Sequence, residues 1–244
     1  MAQITTVIFD MYETLVEEGR HHWRKTFNEI TRQQDLNVDP ELLWDTWWEA
    51  IRAFRANRTS PGIPFESYYQ AWRNGFASAF RTLRLPGDPS AAIDKSMQDL
   101  SKRQPYVETM QTLRIIQSQY RTAILSNADE VYFRANLRLL DGDIVAGLSL
   151  ALTSEEAQCY KPQRAFFQEM LRRLEVTPQE CLYVGDRQLE DVKGADSVGI
   201  GTVWLNRSGI RLDRELPAPH YQIKSLSEIP QILEIIADTK DGSQ

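Results

Sequence analysis

The run Ile4-Thr5-Thr6-Val7-Ile8-Phe9 is short, β-branched and apolar, and it ends on an acid, Asp10. Without polar alternation it predicts a strand covered on both faces, which belongs inside a parallel sheet. A carboxylate at the C-terminal end of such a strand lies where open α/β sheets put their chemistry. The turn that follows, Asp10-Met11-Tyr12-Glu13-Thr14, holds no glycine, so a dinucleotide-binding turn is rejected.

After Leu15 the period changes. Trp23, Phe27 and Ile30 recur at helical spacing. Asp39-Pro40 reads as a cap with proline at the first helical position, opening a helix over 41–56 with Leu43, Trp47, Ile51 and Phe54 as its stripe. The segment 60–64 is a loop, 65–83 a helix, and Ser90 caps a helix that ends near Leu100. From Tyr106 the chain alternates: helix 107–119, strand 121–126, helix 129–140, strand 144–150, helix 162–174, strand 181–184, helix 191–198, strand 202–205, strand 221–223 and helix 226–236. The tail 238–244 is polar and reads as frayed. Alternation of this kind predicts a three-layer, Rossmann-like α/β core with a parallel sheet. Residues 1–16 and 105–244 form that core, and 17–104 form an inserted all-helical cap over the strand ends.

Charge and cysteine usage narrow the partners. Net charge is 28 − 34 = −6, which argues against nucleic acid, whose phosphates want a basic face. No apolar run approaches the ~20 residues of a bilayer span, and the N-terminus carries no signal-peptide pattern. Cys159 and Cys181 form neither a metal spacing nor a disulfide framework. A reduced, cytoplasmic setting is expected. The expected partner is a small anionic substrate, and oligomeric state is left open between monomer and dimer. Cys159 is near Lys161 in sequence but reads as packing rather than as a nucleophile.

Three further segments look built to meet Asp10: Leu125-Ser126-Asn127, Tyr160-Lys161-Pro162, and Val184-Gly185-Asp186 with Asp191 after it. Acid, hydroxyl, lysine and acid pair, in that order, resemble the haloacid dehalogenase-like hydrolase superfamily, in its helical-cap subfamily I. The resemblance spans nearly the whole chain. It implies that Asp10 is the nucleophile, forming an ester that water cleaves. It puts Asp10, the backbone carbonyl of Tyr12 and Asp186 on Mg²⁺, with Asp191 on the ion or just behind it. It gives Ser126 and the backbone N–H of Asn127 to the substrate's anionic oxygens. Lys161 offsets the nucleophile's charge and holds the transferring oxygens. Thr14 either orients Asp10 or is a plain turn hydroxyl. Clustered carboxylates also call for a cation on their own account, because each otherwise raises its neighbours' pKa. The competing reading makes Asp191 a solvated helix cap and Lys161 a surface lysine. Glu190 is expected to face away.

The pattern breaks at position 12. Family phosphatases place a second aspartate there, which protonates the leaving alcohol and then activates water. This chain has Tyr12, followed by Glu13 where glycine is usual. A phenol, with an ordinary pKa near ~10, replaces that acid poorly, and losing a positioned acid costs typically ~10²–10⁴-fold. The 2-haloacid dehalogenase branch does carry tyrosine there, because halide needs no proton on leaving. The 125–127, 160–162 and 204–209 runs resemble that branch too. Yet that branch has serine and asparagine where Gly185, Asp186 and Arg187 stand, and it uses no metal. Its cap arginine follows a Leu-Trp pair; here Leu43-Trp44 is followed by Asp45, and Arg52, Arg55 and Arg58 are either substitutes or a solvated basic stripe. The aromatics Trp44, Trp47, Trp48, Tyr68, Tyr69 and Trp72 line either a substrate pocket or the cap core. Three functions stay open: a Mg²⁺-dependent phosphatase-like hydrolase, which the acid pair favours; a metal-independent 2-haloacid dehalogenase; and a catalytically weak member that binds a ligand or a protein partner.

Overall fold

The computed structural model describes residues 3–241. Six parallel strands form its sheet: β1 (Thr6–Phe9), β2 (Arg121–Ser126), β3 (Leu148–Thr153), β4 (Cys181–Gly185), β5 (Gly201–Leu205) and β6 (Tyr221–Ile223), in the order β3-β2-β1-β4-β5-β6. The fold is α/β and Rossmann-like. All four residues of β1 are buried, which is what its uninterrupted apolar run requires. The strand order reverses beside β1, so the crevice at the carboxyl ends of β1, β2 and β4 is where such sheets place a site. One face of the sheet is covered by helix Arg164–Leu174, whose Phe166, Phe167 and Met170 pack on Ile8, Leu125 and Tyr183.

By contacts the chain divides into two compact units. The α/β unit takes the chain up to Glu17, Gln104–Asn127 and Leu137 onward; the helical unit takes Glu18–Arg103 and Ala128–Asn136. The helical unit therefore includes most of helix Glu130–Leu137, which the alternating pattern had assigned to the core. Its other helices are α1 (Arg20–Gln33), α2 (Pro40–Asn57), α3 (Tyr68–Thr82) and α4 (Pro89–Leu100). Trp23, Phe27, Trp47, Trp72 and Phe76 interlock at ring-centre separations of 5.2–5.8 Å. These aromatics are the unit's core. Gly75 lets α2 and α3 approach: a Cβ there would meet Ile51 and Trp47 at 3.1 Å. Asp129 accepts from the backbone N–H groups of Tyr68 and Tyr69 at 2.9 and 2.7 Å, capping α3 from outside the helix.

Several boundaries differ from the expected ones for local reasons. Asp88, not Ser90, caps α4; its carboxylate accepts from the Ser90 N–H, with Pro89 at the first helical position. Val107 is 97% exposed and precedes the helix, which runs Thr109–Gln117. The strand expected over 144–150 is a short helix, Gly142–Ala146, followed by β3. Ile144 is buried as helix, so its β-branched side chain signalled burial and not strand. Helix Ile229–Asp241 continues through residues expected to fray, and the remainder of that tail, 242–244, lies outside the described residues. Among the described residues no helix is long and apolar enough to cross a membrane.

Candidate active site

The parallel register aligns the strand ends. Phe9 lies opposite Ile124 on one side and Val184 on the other, so Asp10 emerges beside Leu125-Ser126 and Gly185-Asp186. The Asp10 N–H donates to the Val184 carbonyl at 2.9 Å, extending the ladder by one bond and fixing the carboxylate at the strand tip. Asp191 arrives by a different device. A π-helical turn, Gln188–Val192, follows β4, and single π turns of this kind collect at functional sites. Gly185 makes room for it: a Cβ there would meet the Asp191 Cγ at 2.3 Å.

Lys161 joins these acids. Its Nζ donates to Asp10 Oδ1 at 2.7 Å, to Asp191 Oδ1 at 2.6 Å and to the Tyr183 hydroxyl at 3.0 Å. An ammonium has three protons, and here each has a partner. The lysine is 2% exposed, so it is not the surface lysine of the competing reading. Burial alone would depress its pKa, but the charges of Asp10 and Asp191 hold it well above the ordinary value. Burial raises Asp10 to about 6 against the opposing pull of Lys161, with Asp191 adding to the rise. Asp186 is pushed well above the usual carboxylate range by burial, then by Asp191 and Asp10.

The remaining oxygens divide clearly. Both oxygens of Asp191 are engaged, since its Oδ2 also accepts from the Arg187 N–H at 2.9 Å. It is buried, not a solvated cap. Asp10 Oδ2 has only a long contact from Thr14 Oγ1, at 3.4 Å, among its side-chain partners. Asp186 Oδ1 and Ser126 Oγ are buried with no hydrogen-bond partner among the described residues. Such orphaned polar atoms are costly unless something else meets them. Asp10, Asp186 and Asp191 each offer an oxygen within 4.8 Å of the others. All-oxygen donors of this charge suit a hard divalent cation. The residues present therefore fit Mg²⁺, with Asp186 Oδ1 the oxygen left open to it.

Asn127 has a second task that its sequence position did not suggest. Its Oδ1 accepts from the Lys161 N–H at 2.8 Å, and its Nδ2 donates to the Lys161 carbonyl at 3.3 Å. This side chain clamps the lysine's own peptide. Tyr183 is the residue sequence reasoning missed altogether, since an aromatic in a buried strand reads as core. Its hydroxyl lies 3.2 Å from the Leu125 carbonyl and 3.1 Å from Asp191 Oδ1, tying β2 to the acid cluster. Tyr12 is nearly buried, at 9% exposure. Glu13 takes a left-handed backbone, φ 62°, and its carboxylate accepts from the Tyr106 hydroxyl at 3.1 Å. Arg207 lies 3.8 Å over the Tyr106 ring, pairs with Glu108 at 2.5 Å and donates to the Thr14 carbonyl at 3.1 Å, pinning the loop that follows Asp10. Glu190 pairs with Arg187 at 3.7 Å.

Two other expectations are settled by burial. Arg58 is buried, bonded to the Tyr68 hydroxyl and stacked over its ring, so 52, 55 and 58 are not one solvated stripe. Burial pushes the Cys159 thiol up to about 11 and the Cys181 thiol up to about 12, the direction of inert packing cysteines.

Comparison with known proteins follows the same line. A family model described as haloacid dehalogenase-like hydrolase matches residues 4–199. The chain is 26% identical over 235 residues to (S)-2-haloacid dehalogenase 1 of Pseudomonas sp. (strain CBS-3), covering 96% of this chain and 98% of that one. It is 29% identical over 270 residues to the N-acylneuraminate-9-phosphatase of Homo sapiens, covering 97% and 96%. Among solved structures it resembles Bacillus subtilis YfnB bound to magnesium, with a TM-score of 0.77 at 18% identity, over 95% of this chain and 99% of that one.

Proposed function

The chain belongs to the haloacid dehalogenase-like hydrolase family and is a hydrolase, and from that premise we propose that it carries out Mg²⁺-dependent hydrolysis of a small phosphorylated substrate through an ester on Asp10. One observation carries the reading, the charge sum at the strand ends. Three carboxylates meet one ammonium, 1 − 3 = −2, and Asp186 Oδ1 has no hydrogen-bond partner among the described residues. A metal-free pocket would have to keep at least one of these acids neutral. Asp10, Asp186 and the Tyr12 carbonyl would hold the ion, with Asp191 behind them because both its oxygens are engaged. When bound, Mg²⁺ supplies charge neutralisation and polarisation of the phosphoryl oxygens.

The chain's own residues do the rest. Asp10 Oδ2 is the attacking oxygen, because Oδ1 is held by Lys161. Lys161 keeps Asp10 ionised and aimed. Ser126 Oγ, which has no hydrogen-bond partner among the described residues, donates to a phosphoryl oxygen, and the Asn127 N–H joins it there. Thr14 steadies the nucleophile. A small anionic substrate fits this donor set; nucleic acid and membrane do not enter it.

The test is hydrolysis of p-nitrophenyl phosphate, whose good leaving group needs no acid. Turnover is expected with Mg²⁺, loss with EDTA, and a fall of several orders of magnitude for Asp10→Asn. A flat result in all three sinks the reading. A second reading is favoured by Tyr12 and by the likeness to (S)-2-haloacid dehalogenase 1. It is metal-independent dehalogenation on Asp10, and EDTA-insensitive halide release from 2-chloropropionate would establish it.

A further inference from the structure

We infer that the leaving group of the substrate departs as a stable anion, so that acyl and aryl phosphates are turned over in preference to alkyl phosphates, and that phosphorylated Asp10 accumulates during turnover. The inference rests on the phosphoryl-transfer reading above. It comes from an account of protons. An alcohol leaving phosphorus needs a proton in the transition state, because an alkoxide is a strong base. The side chains in hydrogen-bond reach of Asp10 are Lys161 and Thr14. Each N–H of Lys161 already faces Asp10, Asp191 or Tyr183. The Thr14 hydroxyl faces Asp10 itself. The single proton of Tyr183 goes to the Leu125 carbonyl or to Asp191. Glu13, the other carboxylate of the loop, is turned to the Tyr106 hydroxyl. Both oxygens of Asp191 are engaged, and Asp186 would be taken up by the cation. That leaves a phenol, Tyr12, as the loop's remaining acid.

The chemistry then splits into unequal halves. With an acyl phosphate, Asp10 Oδ2 bonds to phosphorus as the bond from phosphorus to the acyl oxygen breaks. The carboxylate leaves with the electron pair and no proton moves. In the second half water adds to the same phosphorus, the Asp10–phosphorus bond breaks, and the water's proton goes to solvent. A good leaving group rescues the first half only. Among the described carboxylates around Asp10 none is left to take the water's proton, so the second half is slow for every substrate, and the ester builds up.

The experiment uses the full chain with Mg²⁺ and three donors: acetyl phosphate, p-nitrophenyl phosphate and glycerol 1-phosphate. We expect kcat/KM for acetyl phosphate to exceed that for glycerol 1-phosphate by at least ~10²-fold, the low end of what a positioned acid supplies. We expect acetyl phosphate and p-nitrophenyl phosphate to share one kcat, a burst of p-nitrophenol close to one per enzyme, and an acid-quenched protein heavier by one phosphoryl group at Asp10. Tyr12→Asp should move the selectivity toward glycerol 1-phosphate by about 10²-fold; if that variant does not fold, the wild-type series decides alone. Glycerol 1-phosphate within about tenfold of acetyl phosphate, or no burst, overturns the inference and leaves the phosphatase reading standing. Transfer from none of the three donors overturns the reading itself.

Discussion

Lys161 is fixed at three points, and the neutral one is the easiest to remove without disturbing charge. Tyr183→Phe keeps the ring that packs on Phe167, at 5.4 Å between centres, and deletes the hydroxyl. We expect the variant to stay folded, with kcat down about fivefold and KM little changed, since about 1 kcal/mol is the ordinary worth of such a bond. An unchanged kcat would mean that two carboxylates suffice to aim the lysine. Asp186 makes an opposite kind of prediction. A carboxyl raised by folding binds its proton more tightly in the folded chain than in the unfolded one. It is therefore harmless at low pH, and its cost to stability accumulates as pH rises from the unfolded pKa to the folded one. Asp186→Asn should melt a few degrees higher than wild type in EDTA at pH 7.5, with the gap closing as pH falls toward 4. Mg²⁺ should raise the melting temperature of wild type only. A variant that melts lower in EDTA at neutral pH would contradict this. At this scale the four motifs were legible because acids, a lysine and a hydroxyl at strand ends are rarely structural together. Tyr183 and the Asn127 clamp were not, because their roles exist only once β2, β4 and the Lys161 loop are side by side.

Among the elements, α3 owes its start to a residue from outside it. Asp129 holds the N–H groups of Tyr68 and Tyr69 while lying next to the helix's positive end. Asp129→Ala leaves one buried and one part-buried donor without this acceptor and should cost about 2–4 kcal/mol, lowering the melting temperature by roughly 4–15 °C. Asp129→Asn, which retains one acceptor, should cost less; equal losses would show that the oxygens do not act through hydrogen bonding. The turn after β4 depends on close approach instead. Gly194 lies against Phe167, where a Cβ would meet the ring at 2.3 Å. Gly194→Ala should destabilise by about 1–3 kcal/mol through overpacking, measured by denaturant titration. Strand β2 lies where its apolar run placed it, because burial from Thr122 to Ser126 leaves no alternation to misread. The region before β3 misled for a related reason: a buried β-branched residue such as Ile144 looks alike in a short helix and in a strand. The π turn left no trace in spacing, since it places Asp191 through one extra residue per turn rather than through residue type.

Across the whole molecule, the tryptophans report on one unit. Trp23, Trp44, Trp47, Trp48 and Trp72 belong to the helical unit, and Trp204, bonded to the Asp186 carbonyl at 2.8 Å, to the α/β unit. In Trp204→Phe, indole emission therefore follows the helical unit alone. Adding Mg²⁺ should raise the guanidinium midpoint seen by far-UV circular dichroism and leave the emission midpoint in place, because the ion's ligands all lie in the other unit. Midpoints that move together would show a single cooperative fold. The helical unit, finally, is not one stretch of gene. Asn136 accepts from the Arg103 N–H at 3.0 Å and donates to the Leu100 carbonyl at 2.8 Å, while Tyr132 stacks on Trp72 at 6.2 Å. Anyone transplanting 18–103 between relatives to trade substrate preference would leave behind nine residues that finish it, and the graft would arrive with its last helix end and its third helix start undone.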